Sequence, residues 1–277
     1  MVYRVIELKE RFSFLGENGR SPTLEVYLPD PMVEMGWQNK KRPCLLICPG
    51  GGYGNVSDRE AEPIAFHFLP EGYNVFVLYY SVAPHTFPVQ LREVAAAMEL
   101  ISEKSEQWHC ETSKTAILGF SAGGHLAAHY STSYDLPEIR QVFPDSKPVQ
   151  ASILCYPVIS ADEKVAHLGS FHNLLGTNEL TPEQVRQFSC ENLVSANTPP
   201  AFIWHTAEDQ LVPVENSLRY ASALSAHNIP FSLHIYPKGW HGLATVDSQT
   251  NNDLPEDIRW AAQWLEGAKK WLKVLFA

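Results

Sequence analysis

A chain of 277 residues with 45% hydrophobic and 19% charged positions carries enough apolar material for one large domain with a sizeable core. Its formal net charge is -10 and it has no basic run, which argues against nucleic acid as a partner, because phosphate binding needs clustered lysine and arginine. No segment approaches the ~20 apolar residues that cross a bilayer, so no membrane partner is expected.

The N-terminal stretch "MVYRVIELKERFSFLGENG" alternates apolar and charged residues. It lacks the apolar run and small-residue cleavage site of a secretory leader, which predicts a cytoplasmic protein. β-like runs then occur at Thr23–Pro29, Cys44–Gly50, Asn74–Tyr80, Thr115–Phe120, Ala151–Pro157, Ala201–Ala207 and Phe231–Pro237. From Cys44 onward they are nearly continuous apolar runs, the pattern of parallel strands covered on both faces. Helical stretches lie between them. "DREAEPIAFHFLPEG" ends at a glycine, "PVQLREVAAAMELISEKSEQW" opens with proline, and "VENSLRYASALSAHN" and "PEDIRWAAQWLEGAKKWLKVLF" keep an apolar spacing of three and four. The alternation predicts an α/β fold with a mostly parallel, doubly wound sheet of about eight strands. The first two runs are too close together for a crossover helix and are expected to form an antiparallel N-terminal edge.

One part breaks the alternation. Between Ser160 and Pro200 there are only short helical pieces such as "TPEQVRQFSCENL", which read as a small cap-like insertion or a wall of the site. Residues 1–277 are otherwise expected to form a single domain. The five cysteines, Cys44, Cys48, Cys110, Cys155 and Cys190, have no CxxC spacing, and several sit in apolar runs. They read as buried thiols in a reducing compartment, not as zinc ligands.

Gly119-Phe120-Ser121-Ala122-Gly123 matches G-x-S-x-G, between a strand-like run and the helix-compatible "AGGHLAAHYSTSY". A serine at such a corner points out of the carboxyl edge of the sheet, and flanking glycines leave room for the chain to turn back. The competing reading is a tight turn that needs small residues. A serine hydroxyl attacks at neutral pH only when an imidazole takes its proton and a carboxylate orients that imidazole. In this fold the partners come later, acid before histidine. "AFIW" runs into "HTAEDQLVP" with Asp209, and "FSLHIYP" into "KGWHGL" with His241, both just past strand ends. Glu208 and Asp162 compete with Asp209 for the acid. His205 closes a strand and could line the site. The other histidines read as structural, and no H-E-x-x-H motif or carboxylate cluster suggests a metal.

A developing oxyanion needs backbone N–H donors. Ala122, after the serine, should supply one. Gly51 and Gly52 in "CPGGGYG" should supply another, because consecutive glycines expose main-chain N–H groups. A flexible loop or a phosphate cradle competes, but the lysine of G-x-x-x-x-G-K-[ST] is absent. Beside this loop Tyr53, Asn55, Ser57, Asp58 and Arg59 offer groups suited to a polar substrate, with Tyr53 the candidate contact. A helix N-cap at Ser57 or Asp58 explains part of the same stretch.

With these four elements in order, the chain resembles the α/β-hydrolase superfamily over essentially its full length. "CPGGGYGNVSDREAEPIAFHFLPEGYNVFVLYYSVAP" and "GFSAGGHLAAHY" resemble the bacterial carbohydrate-esterase and acetyl-xylan-esterase-like proteins. Pro49 stands where lipase-type relatives have histidine. The resemblance implies cleavage of short acyl esters, acetyl groups on sugars among them, by Ser121, Asp209 and His241, with Gly52 and Ala122 at the oxyanion. A small ester, carbohydrate-linked, is then the expected partner, with no cofactor. Homo-oligomerisation stays open. An amide-cleaving enzyme of aminopeptidase or arylformamidase type is the alternative, and a non-catalytic binding protein of the same fold is a third.

Overall fold

The computed structural model describes residues 1–15 and 21–277. The apolar runs form strands of one sheet: β1 Val2–Glu7, β2 Thr23–Leu28, β3 Arg42–Cys48, β4 Asn74–Tyr79, β5 Cys110–Phe120, β6 Ala151–Cys155, β7 Ala201–Thr206 and β8 Phe231–Tyr236. Their order is β1-β2-β4-β3-β5-β6-β7-β8. β2 runs antiparallel to both β1 and β4, and every pairing from β4 to β8 is parallel. The helices are α1 Leu8–Arg11, α2 Glu62–Phe68, α3 Val89–Glu103, α4 Ser121–Ser133, α5 Pro137–Arg140, α6 Leu168–Leu175, α7 Pro182–Phe188, α8 Glu215–Ala226, α9 Glu256–Arg259 and α10 Gln263–Leu275.

Alternation of side chains along the strands divides the core in two. Cys44, Leu46 and Cys48 of β3 face a cluster that includes Val94 and Leu100 of α3, Leu126 of α4 and Tyr220 of α8. Leu45 and Ile47 face the opposite cluster with Ile64 and Phe68 of α2 and Trp264, Leu265 and Leu272 of α10. Both faces are therefore covered, which is why these strands read as unbroken apolar runs.

The expected antiparallel N-terminal edge is present, but its strand pairing differs from the expected one. The runs that became β2 and β3 are not neighbours, because β4 lies between them, and the antiparallel edge is built from β1 and β2 against β4. β1 leaves most of its residues exposed and is held chiefly by its backbone ladder to β2, so no apolar run announces it. β3 has β4 on one side and β5 on the other. The crossovers leaving β3 and β4 thus go to opposite sides, and the loops after β3 and β5 part at the carboxyl edge to open a crevice.

The chain between β6 and β7 holds α6, α7 and a 3₁₀ turn at Cys190–Leu193. α7 starts where Thr181 accepts the Gln184 N–H while the Gln184 side chain accepts the Thr181 N–H. Among the described residues no helix is long and apolar enough to cross a membrane.

Candidate active site

Ser121 sits at the corner between β5 and α4 with φ +52, a left-handed conformation that L residues adopt only when their surroundings impose it. The flanking glycines are forced. A Cβ on Gly119 would lie 2.2 Å from the Gly123 carbonyl oxygen, and one on Gly123 would lie 2.1 Å from the Cys48 oxygen. The turn therefore closes against the end of β3, and Ser121 stands beside the loop that follows β3.

His241, in the loop after β8, reaches across to it. Its Nε2 is 2.8 Å from Ser121 Oγ and its Nδ1 is 2.6 Å from Asp209 Oδ2. An ionised carboxylate only accepts, so Nδ1 carries the proton and Nε2 is left to accept from the serine hydroxyl. Asp209 Oδ1 accepts the Leu211 and Val212 N–H groups at 2.9 Å each. Burial alone would push this carboxyl up. Hydrogen bonds from His205 and His241, with that of Val212, instead hold it well below the usual carboxylate range. The two competing acids lie elsewhere: Glu208 pairs with Lys238, and Asp162 pairs with Arg219.

The glycine loop lies opposite. Gly51 and Gly52 have φ of +127 and +62, and among the described residues neither N–H has an acceptor within the chain. Ala122 N–H belongs to the first turn of α4, whose donors have no partner inside the helix. Gly50 N–H is engaged by Glu60 at 2.8 Å. Asn173 of α6 donates to the Gly52 carbonyl at 2.9 Å and ties the loop to the chain between β6 and β7.

These groups border a cavity of about 620 Å³ whose walls include Gly51, Gly52, Asn55, Ser57, Arg59, Ser121, His167, Asn173 and His241. Ser57 precedes the 3₁₀ turn Asp58–Glu60 but makes no side-chain capping bond. Tyr53 is not brought to this cavity. Its side chain is buried, with the hydroxyl 2.9 Å from His125 Nδ1 and the ring packed on Tyr80 and His125. It braces the loop from behind. His205 is likewise buried, 3.3 Å from Asp209 Oδ2 and bonded to Ser217 and the Val212 carbonyl. His125 and His129 have helical i, i+4 spacing, but both His125 ring nitrogens are occupied, by Tyr53 and the Phe188 carbonyl. Among the described residues no group of side chains is placed to hold a metal.

Three site residues escaped the sequence reading. Glu60 and Tyr156 lie beneath the glycine loop and the His241 loop, and His167 forms part of the cavity wall. The His167 Nδ1 is 2.8 Å from Ser170 Oγ, and burial with nearby His241 holds its pKa below the ordinary value. The available signal was position: Tyr156 falls just past the end of β6, where open α/β sheets build their sites.

The family model described as BD-FAE matches residues 24–224. The chain belongs to the BD-FAE family. Over 251 residues it is 35% identical to endo-1,4-beta-xylanase B of Butyrivibrio fibrisolvens, covering 87% of this chain and 38% of that protein. It is 34% identical over 209 residues to an acetylxylan esterase of Xylanibacter ruminicola, covering 74% and 42%. The chain thus spans about two fifths of these curated relatives. The crystal structure of an acetyl ester-xyloside bifunctional hydrolase from Caldicellulosiruptor lactoaceticus superposes with a TM-score of 0.84 at 34% identity, over 99% of this chain and 96% of that one. The BD-FAE chain described here accordingly has the α/β-hydrolase fold.

Proposed function

We propose that the chain is a serine carboxylesterase that removes short acyl groups, acetyl groups on sugars foremost. The observation that carries this reading is the Asp209–His241–Ser121 hydrogen-bond chain ending on a strained serine that borders an open cavity. As His241 Nε2 takes the hydroxyl proton, Ser121 Oγ bonds to the acyl carbon. The carbonyl oxygen becomes an oxyanion within reach of the Ala122 and Gly51 or Gly52 N–H groups. His241 then protonates the leaving alcohol as the ester C–O bond breaks. Water, deprotonated by His241, attacks the acyl-enzyme, releasing the acid and restoring the serine. No step calls for a metal or organic cofactor.

The names of the relatives support an acetylated xylan-type substrate. So does the cavity wall, where Asn55, Arg59 and Asn173 suit a hydroxyl-bearing leaving group better than a lipid tail. The proposal treats residues 1–277 as one domain and 160–200 as a cap-like wall, supported by the Asn173–Gly52 bond. Five buried, unpaired thiols support a reducing, cytoplasmic setting.

The test is turnover of p-nitrophenyl esters from acetyl to octanoyl, alongside acetylated xylo-oligosaccharides and aminoacyl anilides. Acetyl esters and acetylated oligosaccharides should be preferred. Faster anilide cleavage would replace the reading with an amide-cleaving one.

A further inference from the structure

Glu60 is a buried acid, 3% exposed, at the border of the cavity, and each of its oxygens accepts a hydrogen bond. Oε2 accepts the Gly50 N–H at 2.8 Å, at the start of the glycine loop. Oε1 accepts the Tyr156 hydroxyl at 2.6 Å, and that hydroxyl itself accepts the Ala244 N–H at 2.9 Å. One carboxylate thus joins the loop after β3, the turn after β6 and the loop that carries His241.

One residue on each side links this carboxylate to the reacting groups. A Cβ on Gly50 would lie 2.7 Å from Glu60 Oε2 and 2.9 Å from Ser121 Cβ, so carboxylate, loop and serine are packed in series. The Tyr156 ring meets the His241 imidazole edge-on, with centroids 5.0 Å apart, and is backed by Trp204 and Phe120. Tyr156 holds a left-handed φ of +36, which its surroundings must impose. Burying an acid is costly unless its hydrogen bonds are made. Burial indeed raises the Glu60 carboxyl above its ordinary value, against the pull of Tyr156, Gly50 and His241.

We propose that Glu60 is a positioning residue: through Gly50 and Tyr156 it holds the oxyanion loop and the His241 loop in register around Ser121. The proposal rests on the esterase reading. By engaging Gly50 N–H, the carboxylate also leaves Gly51 and Gly52 as the loop donors free to face the acyl oxygen.

Glu60→Gln keeps the shape but not the pattern. The amide accepts through one atom and donates through the other. Either Gly50 N–H then meets a donor, or the Tyr156 hydroxyl receives two donors and its own hydrogen loses its acceptor. Tyr156→Phe breaks the same link from the other end. The experiment measures kcat and KM for p-nitrophenyl acetate, labelling of Ser121 by a fluorophosphonate, and inhibition by a trifluoromethyl ketone, whose serine adduct carries the oxyanion. It uses the wild type, Glu60→Gln, Tyr156→Phe and the double variant, with Tm recorded for each.

Each single variant should lose about 10- to 100-fold in kcat, while KM moves by less than about 2-fold. Ketone affinity should fall in parallel with kcat/KM. The double variant should lose no more than the worse single one, because both act through one bond. A folded Glu60→Gln with unchanged kcat, or losses that multiply in the double variant, overturns the proposal. If Glu60→Gln does not fold, Tyr156→Phe carries the same expectation and the same refutation. A wild type that neither turns over esters nor labels at Ser121 refutes the esterase reading. Normal wild-type activity with unimpaired variants refutes only the role of Glu60.

Discussion

Asp209 has four hydrogen-bond donors directed at one carboxylate: the Leu211 and Val212 N–H groups, His241 Nδ1 and, at 3.3 Å, His205 Nε2. Asp209→Asn keeps the shape but offers His241 an amide that cannot hold Nδ1 in its protonated form. A kcat loss of about 10⁴-fold with little change in KM is expected in ester assays. Because its carboxyl lies below the usual range, its stabilising contribution is present above ordinary carboxylate pKa values and lost only in stronger acid. The residues legible in the sequence were those that chemistry ties to a pattern: a glycine-flanked serine, then an acid and a histidine past later strand ends. Tyr53 and Glu60 were not legible. Both adjoin the glycine loop in the chain, but burial sends Tyr53 to His125 and Glu60 to Gly50 and Tyr156, and no local pattern distinguishes those outcomes.

At the scale of elements, the corner between β5 and α4 tolerates no side chain at Gly123, where a Cβ would meet backbone oxygens of Cys48 and Pro49 at 2.1 and 2.3 Å. Gly123→Ala should destabilise the protein by about 3 kcal/mol. Thermal unfolding should show this as a fall of about 10 °C. α3 carries a second buried acid, Glu93, whose carboxylate accepts the Ser81 N–H at 2.7 Å and its hydroxyl at 2.5 Å. Burial pushes Glu93 up to about 7 despite these bonds. The folded state then holds a proton that the unfolded chain has released, so stability should fall by about 3 kcal/mol as pH rises from about 4.5 to above 7. Denaturant titrations across that range should show the decline, and Glu93→Gln should reduce it, leaving the smaller part that the raised Glu60 carboxyl contributes. The parallel strands were legible because burial on both faces makes them continuously apolar. β1 was not, since its exposed side chains leave only a backbone ladder to define it. The neighbour of β2 was also hidden, because the position of β4 between β2 and β3 is set by crossovers and not by local sequence.

For the whole molecule, the reversal of strand order around β3 places the glycine loop and Ser121 on either side of one crevice, and the chain after β6 closes it with His167 and Asn173. Leu211 is the one aliphatic side chain beside the polar groups and glycines that border the cavity, so turnover should fall steadily from acetyl to octanoyl esters. A preference for octanoyl would mean an apolar acyl site that this cavity does not provide. The segment between Ser160 and Pro200 reads in the sequence as a gap in the strand pattern, and no local pattern there announces the Asn173–Gly52 bond across the crevice. The central claim is that Ser121 is the nucleophile of this arrangement. It is tested most directly by treating the wild type and Ser121→Ala with a fluorophosphonate and mapping the adduct by mass spectrometry. One adduct per chain, on Ser121, with none in Ser121→Ala and hydrolysis of p-nitrophenyl acetate abolished with it, is the predicted result. An adduct on another residue, no adduct on an active wild type, or a Ser121→Ala variant that still cleaves the ester would contradict it.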